Sequence, residues 1–232
     1  NLDCNQFQTK LRQLDNTEGL LSRLENIKKN GVPNYFGSQR FGEIRVTQDD
    51  DTVTKKRGGN LELAQKMIEG ETIRNRNKRS MAISALRSWL FNEFVHARIE
   101  HTRSQNTQMQ SAMRGDLLML NGSNSFFKCE DADAMIQSRL NEQDIQLSAP
   151  LWGKGELGTS DEALSFESHV AEQHPEQCTL LEDLGLKQER RPLWLFPLKM
   201  KWELSNDTLS LEFYLPPGCF ATSVLRELVV TD

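Results

Sequence analysis

The sequence predicts an α+β fold, antiparallel strands combined with helices, and three observations predict it. Near the start, Phe7, Thr9, Leu11 and Gln13 alternate with the opposite face, the period-2 pattern of a strand. In the middle, Ala82, Leu86, Trp89, Leu90, Phe94 and Ala97 recur at helical spacing. Near the end, Trp194, Phe196, Leu198, Met200 and Trp202 alternate, and Leu209, Leu211 and Phe213 repeat the pattern. At 232 residues and 37% hydrophobic, the chain can bury a sizeable core.

In chain order, a strand is predicted over Asn5 to Leu14 and a helix through Leu20, Leu21, Leu24 and Ile27, with Asn16 or Thr17 as its cap. Asn30-Gly31 closes that helix and Pro33 prevents its continuation. A loop from Gly31 to Gly42 follows. Glu43 to Gly59 is polar and charged, contains Asp49-Asp50-Asp51, and reads as a mobile loop with a solvated acidic run. A short helix over Leu61 to Glu69 leads to the basic run Arg74-Asn75-Arg76-Asn77-Lys78-Arg79, which is expected to precede the first turn of the strongest helix. The helical stripe there reads as core packing. Beyond Asp116 the sequence predicts short apolar pieces at Leu117 to Leu120 and Ser125 to Phe127, and helices near Asp131 to Leu140 and Glu162 to Glu176. Two antiparallel strands joined at Ser205-Asn206-Asp207 come next, with Pro197 marking an edge or a bulge. A helix is expected over Ala221 to Val230.

Composition excludes several classes. No apolar run approaches a membrane span, and the amino end lacks the basic-then-apolar pattern of a secretory leader, so a soluble protein with the cytoplasm as default compartment is expected. Cys4, Cys129, Cys178 and Cys219 form no C-x-x-C pair. His96/His101 and His169/His174 are each five apart, which does not stack two imidazoles on one helical face for a metal. No nucleophile elbow, phosphate-binding G-x-x-x-x-G-K-[ST] or H-E-x-x-H occurs.

The net charge of −5 is unevenly spread: residues 72 to 114 carry 8 Lys/Arg against 2 Asp/Glu, and residues 115 to 192 carry 6 against 15. A polyanion responds to the local field within about 8 Å at physiological salt, so the basic window can bind phosphates despite the total. A helix amino end beside arginines is one such phosphate site. Charge alone equally allows a solvated helix end with no partner.

The segment Gly31 to Gly42 packs Tyr35, Phe36 and Phe41 beside Asn34 and Arg40. A flat ring on a turn, an amide that donates and accepts, and a guanidinium are the components of a nucleobase site. The alternative is that the three rings pack a tight loop onto a core.

The same segment, Gly31-Val-Pro-Asn-Tyr-Phe-Gly-Ser-Gln-Arg-Phe-Gly42, resembles the signature of the TruD family of tRNA pseudouridine synthases. Arg76 to Ser80 with Ala85, Arg87, Ser88, Phe91 and Asn92 agrees, as do Gly153 to Gly158 with Glu162 to Glu167, and Leu215 to Leu228. The resemblance implies a pseudouridine-synthase-type mixed α/β catalytic domain over 1–71 and 195–232, interrupted by an inserted TRUD domain at 72–194. It implies isomerisation of uridine 13 of tRNA without cofactor or metal, by flipping the base out and using an ionised aspartate. Carried over, Phe36 would stack the base, Asn34 would contact the target nucleotide and Phe220 would form a second wall. Arg40, Arg74, Arg76, Lys78 and Arg79 would contact RNA phosphates. The family's catalytic aspartate lies in a Gly-x-Lys-Asp-Arg segment that this sequence does not contain; Asp3, Asp15 and Asp161 lack that context. The chain is therefore expected to begin inside the catalytic domain and to be inactive alone. tRNA is the expected partner, with no membrane and no metal, and the chain is expected as a monomer. The rival readings are a non-catalytic tRNA-binding or remodelling module and a structural protein that binds no RNA.

Overall fold

The computed structural model describes residues 4–14, 17–47, 53–123 and 125–228. Its elements are β1 (Asn5–Leu11), α1 (Leu20–Asn30), β2 (Val32–Pro33), α2 (Ser38–Phe41), β3 (Glu43–Thr47), β4 (Val53–Arg57), α3 (Gly59–Ile68) and α4 (Arg76–Ser104). Then follow β5 (Leu117–Leu120), β6 (Phe126–Lys128), α5 (Ala134–Asn141), β7 (Ile145–Leu151), α6 (Asp161–Glu172), α7 (Pro175–Asp183), β8 (Glu189–Pro192), β9 (Trp194–Leu195), β10 (Leu198–Ser205), β11 (Thr208–Leu215) and α8 (Ala221–Leu225). The predicted α+β class holds. Among the described residues, no helix is long and apolar enough to cross a membrane.

The chain divides into two compact units, Asn1–Tyr35 with Pro192–Asp232, and Phe36–Arg191. The expected 71/72 and 194/195 boundaries thus differ from the boundaries of compactness, because α2 and α3 pack with α4.

In the first unit an antiparallel sheet runs β1-β11-β10, in register from Asn5 opposite Leu215 to Leu11 opposite Leu209. The alternation read from sequence places Leu209, Leu211, Phe213 and Leu215 on one buried face. Leu20, Leu24 and Ile27 of α1 and Val224 and Leu228 join the same cluster. Burying a Leu or Ile side chain stabilises by about 1.5–3 kcal/mol, so this apolar face holds the unit together. β1 is shorter than predicted because the chain turns at Gln13, whose φ is 57°. Gly19, with φ 73°, takes the cap position of α1 and the helix has no side-chain cap bond, so Thr17 does not serve; Asn16 lies outside the described residues. Gly31 ends α1 at φ 69°, and a Cβ there would sit 2.7 Å from the Leu195 carbonyl oxygen, so the position requires glycine.

The predicted single strand from Trp194 to Trp202 is two. Pro197 has no N–H to donate, the pairing register shifts between Leu198 and Lys201, and Lys199 takes φ 51°. β9 pairs instead with β2, which lies inside the predicted loop at Gly31 to Gly42, as does the one-turn α2.

The second unit is built on the 29-residue α4, with Ala82, Ala85, Leu86, Leu90, Phe91, Phe94, Val95 and Ile99 buried along it. It packs against β7, and the sheet runs β6-β5-β7-β8. Two buried ion pairs brace the unit. Arg98 Nη2 lies 2.6 Å from Asp116 Oδ2, and Arg190 donates to both oxygens of Glu167 at 2.8 and 2.9 Å. Ser148 and Thr159 complete the second pair, the hydroxyl of Thr159 donating to Glu167.

Four expectations are corrected here. The predicted loop over Glu43 to Gly59 contains the antiparallel hairpin of β3 and β4, consistent with the β-branched Ile44, Val46, Thr47, Val53 and Thr54; its acidic run lies outside the described residues. The basic run does not wholly precede α4, because Asn75 caps the helix by accepting the Lys78 N–H at 3.0 Å, which puts Arg76, Lys78 and Arg79 in the first turn. The helix expected over Glu162 to Glu176 is two, α6 and α7, interrupted before Pro175, which occupies the first turn of α7. At the carboxyl end α8 stops at Leu225, and the remainder of the predicted helix beyond Leu228 lies outside the described residues.

Candidate nucleobase and phosphate site

Asn34 belongs to the first unit and is 2% exposed. Its backbone N–H donates to Leu193 O at 2.8 Å and its side-chain Nδ2 to Pro192 O at 2.8 Å. An amide that would cost about 1–3 kcal/mol if buried unsatisfied is thereby fixed in one orientation. Phe220, half-buried in the same unit, has extended backbone and stands just before α8. Ser223, one turn further on, is buried and donates its hydroxyl to Tyr35 O at 2.7 Å, while the Arg226 guanidinium lies 4.7 Å over the Tyr35 ring. The segment carrying Asn34 and the start of α8 are thus tied together.

Phe36 opens the second unit and is 7% exposed. Its ring meets Phe91 edge to face with centroids 5.6 Å apart, the Arg191 guanidinium lies 4.2 Å over its centroid, and that of Arg40 lies at 5.4 Å. Asn92 holds its backbone from both sides: Phe36 N–H donates to Asn92 Oδ1 at 2.8 Å, and Asn92 Nδ2 donates to Phe36 O at 3.0 Å. The side chain of Asn92 therefore acts as a strand partner for one residue, which fixes the ring's height against α4.

Phe36 also lines a cavity of about 440 Å³ with Arg40, Arg76, Arg79, Ser80, Ile83, Ser84, Arg87, Leu151 and Leu186. Arg40 Nη1 donates to Ser84 Oγ at 3.0 Å, and Arg40 is held in place by the Asn60 amide, which donates to its carbonyl at 3.2 Å. Of the residues expected to contact phosphate, Arg40, Arg76 and Arg79 share this cavity, whereas Arg74 and Lys78 do not line it. Ser223, Asn92 and Arg191 were not assigned roles by sequence reasoning. Asn92 and Ser223 fall in the resembling segments and could have been singled out as buried hydrogen-bonding residues; nothing local marks Arg191.

Among the described residues, no group of three or more His, Cys, Asp or Glu could hold a metal ion. Burial pushes the Cys129 thiol up to about 11 and the Cys178 thiol up to about 12, so neither supplies a thiolate nucleophile at neutral pH.

The family model for tRNA pseudouridine synthase D (TruD) matches residues 1–51 and 63–228. A tRNA pseudouridine synthase D of Pseudoalteromonas atlantica is 46% identical over 228 residues, covering 98% of this chain and 61% of that protein. One of Shewanella oneidensis is 46% identical over 225 residues, covering 97% of this chain and 56% of the relative. The chain thus spans only about three fifths of the length of these relatives. A crystal structure described as a TruD protein of Methanosarcina mazei matches with a TM-score of 0.66 at 19% identity, over 97% of this chain and 68% of that one, a likeness of fold. With the family model covering both compact units and the segments of Asn34, Phe36, Arg76 and Phe220, the chain belongs to the tRNA pseudouridine synthase D (TruD) family.

Proposed function

We propose that this chain is part of a pseudouridine synthase that isomerises a uridine of tRNA, with uridine 13 as the target. The observation that carries the reading is that the family match runs through Asn34, whose side-chain amide donates to Pro192 O, and Phe36, whose backbone N–H donates to Asn92. The attacking carboxylate is an aspartate supplied from outside these 232 residues, in keeping with the absence of a Gly-x-Lys-Asp-Arg segment. The reaction breaks the C1′–N1 bond, turns the base and rejoins it through C5, which requires a flipped nucleotide held while it rotates. Phe36 supplies the stacking face, Asn34 contacts the target nucleotide and Phe220 forms a further wall. No cofactor or metal takes part. The inserted domain of the family, expected at 72–194, would overlap the second unit over 72–191.

The face of Phe36 now under Arg191 decides whether stacking is feasible. A guanidinium–ring contact contributes about 0.5–2 kcal/mol. Stacking of a base contributes about 1–3 kcal/mol, so a flipped uracil competes for that face on comparable terms. Arg40, Arg74, Arg76, Lys78 and Arg79 supply the sequence-independent attraction for tRNA.

The test is pseudouridine mapping on unmodified tRNA incubated with a longer protein that contains this chain and an upstream aspartate segment. The reading predicts pseudouridine at position 13, lost on replacing that aspartate, and none from the 232-residue chain alone. tRNA binding without pseudouridine in the longer protein would contradict it and favour a non-catalytic tRNA-binding module.

A further inference from the structure

We propose that the cavity between α2 and α4 in the second unit is a pocket for one backbone phosphate of single-stranded RNA, with the attached sugar or base laid against its apolar floor. The inference rests on the reading of the chain as an RNA-modifying protein and narrows where a phosphate is held. Arg76, Arg79, Ser80, Ile83, Ser84 and Arg87 recur along α4 at spacings of three and four, so one stripe of the helix forms one wall. Arg40 comes from α2 and faces that wall, with its Nη1 anchored on Ser84. Phe36, Leu151 and Leu186 supply apolar surface, and among the described residues no acidic side chain lines the cavity. A volume of about 440 Å³ lies within the roughly 300–1,000 Å³ range of small-ligand pockets and so admits a nucleotide.

The four arginines are not equivalent. Arg87 donates to the carbonyls of Leu151, Trp152 and Lys187 and to Glu189, so its guanidinium is committed to holding the wall. Arg76 and Arg79 are exposed and form no ion pair among the described residues. They also stand in a first turn that has no acidic residue, at the end of the helix that already carries partial positive charge. Cations there are locally unfavourable, and an anion bound among them reverses the sign of that interaction. Lys78 shares the first turn but lies off the stripe, so it adds to the field without entering the pocket.

The experiment measures binding of a short labelled oligouridylate to the 232-residue chain by fluorescence anisotropy across a salt series. The pocket predicts that Arg79→Ala weakens binding about tenfold and flattens the salt dependence, by about 0.7 of a slope unit for one lost single-strand phosphate contact. Arg79→Lys, which keeps the charge and loses the fork, gives most of that weakening. Ser80→Trp, which fills the cavity at unchanged charge, weakens binding to a similar degree. Lys78→Ala costs less than Arg79→Ala, and Lys66→Ala, an exposed position on α3, leaves binding unchanged. Wild-type binding by both Ser80→Trp and Arg79→Lys, with a loss only in Arg79→Ala, would overturn the pocket and leave a diffuse phosphate-binding surface. Wild-type binding by Arg76→Ala and Arg79→Ala as well, or no RNA binding by the parent chain at low salt, would overturn the pocket and the RNA-phosphate reading together.

Discussion

The two units bury polar groups for different purposes. In the first, the core cluster is aliphatic and aromatic, and among the described residues its buried polar side chains are Asn34 and Ser223, both on the segments that carry the candidate site. In the second, buried Arg98, Asp116, Ser148, Thr159 and Glu167 form hydrogen-bonded pairs, with Arg190 among their partners, that join α4, α6 and the sheet. A buried polar side chain thus accompanies the candidate site in one unit and braces the architecture in the other. In the second unit the candidate phosphate residues Arg76 and Arg79 stand instead on the wall of the cavity.

Breaking the architecture should give the largest effect. Arg190→Ala leaves the Glu167 carboxylate buried without its bidentate partner, a loss of about 3–5 kcal/mol. Chemical unfolding followed by hydrogen exchange should show the loss confined to the second unit; equal loss of protection in the sheet of β1, β11 and β10 would contradict the division. Asn92→Leu comes next. It leaves the Phe36 N–H and C=O without their side-chain partners, at about 1–3 kcal/mol for each group left unsatisfied, and the change should be read as a lower unfolding midpoint. An unchanged midpoint would mean that Phe36 is not held by Asn92.

The effect smallest at neutral pH is the pH dependence, which appears only in alkali. An unfolded cysteine ionises near its ordinary 9.0, whereas folding raises Cys129 to about 11 and Cys178 to about 12. Below pH 9 both states keep the proton and the contribution is intact; above it the unfolded thiols ionise first, so stability falls as pH rises toward 11 and 12. Replacing both cysteines by alanine should flatten that decline, and an identical slope would show that other groups govern it.

Much of this was legible in sequence because it depends on period and on short-range chemistry. The alternation of Leu209, Leu211 and Phe213 reports a sheet with one buried face, and Asn30-Gly31 reports a helix end that only glycine can make. Cross-chain bonds were not legible. That the amide of Asn92 would grip Phe36, 56 residues away, or that Arg191 would cover its ring, follows from tertiary packing that no local pattern encodes. The hairpin of β3 and β4 differs, since Glu43-Ile44-Arg45-Val46 carries the period-2 signal of a strand in plain view, and it was the polar and charged composition of the whole stretch that read as a loop. The basic run was found from charge, but its division between the pocket stripe and Lys78 required the helix phase that Asn75 sets.

The central claim is that Phe36 serves catalysis as well as packing. Because the ring is buried, Phe36→Ala would cost about 3–5 kcal/mol of stability and obscure the answer, so Phe36→Leu is the better variant. The decisive measurement is the single-turnover rate of pseudouridine formation by Phe36→Leu in the longer protein, beside its melting temperature. The account predicts a rate at least tenfold lower with a melting temperature changed by only a few degrees, from the loss of about 1–3 kcal/mol of stacking. An unchanged rate would contradict it and leave Phe36 as a packing residue.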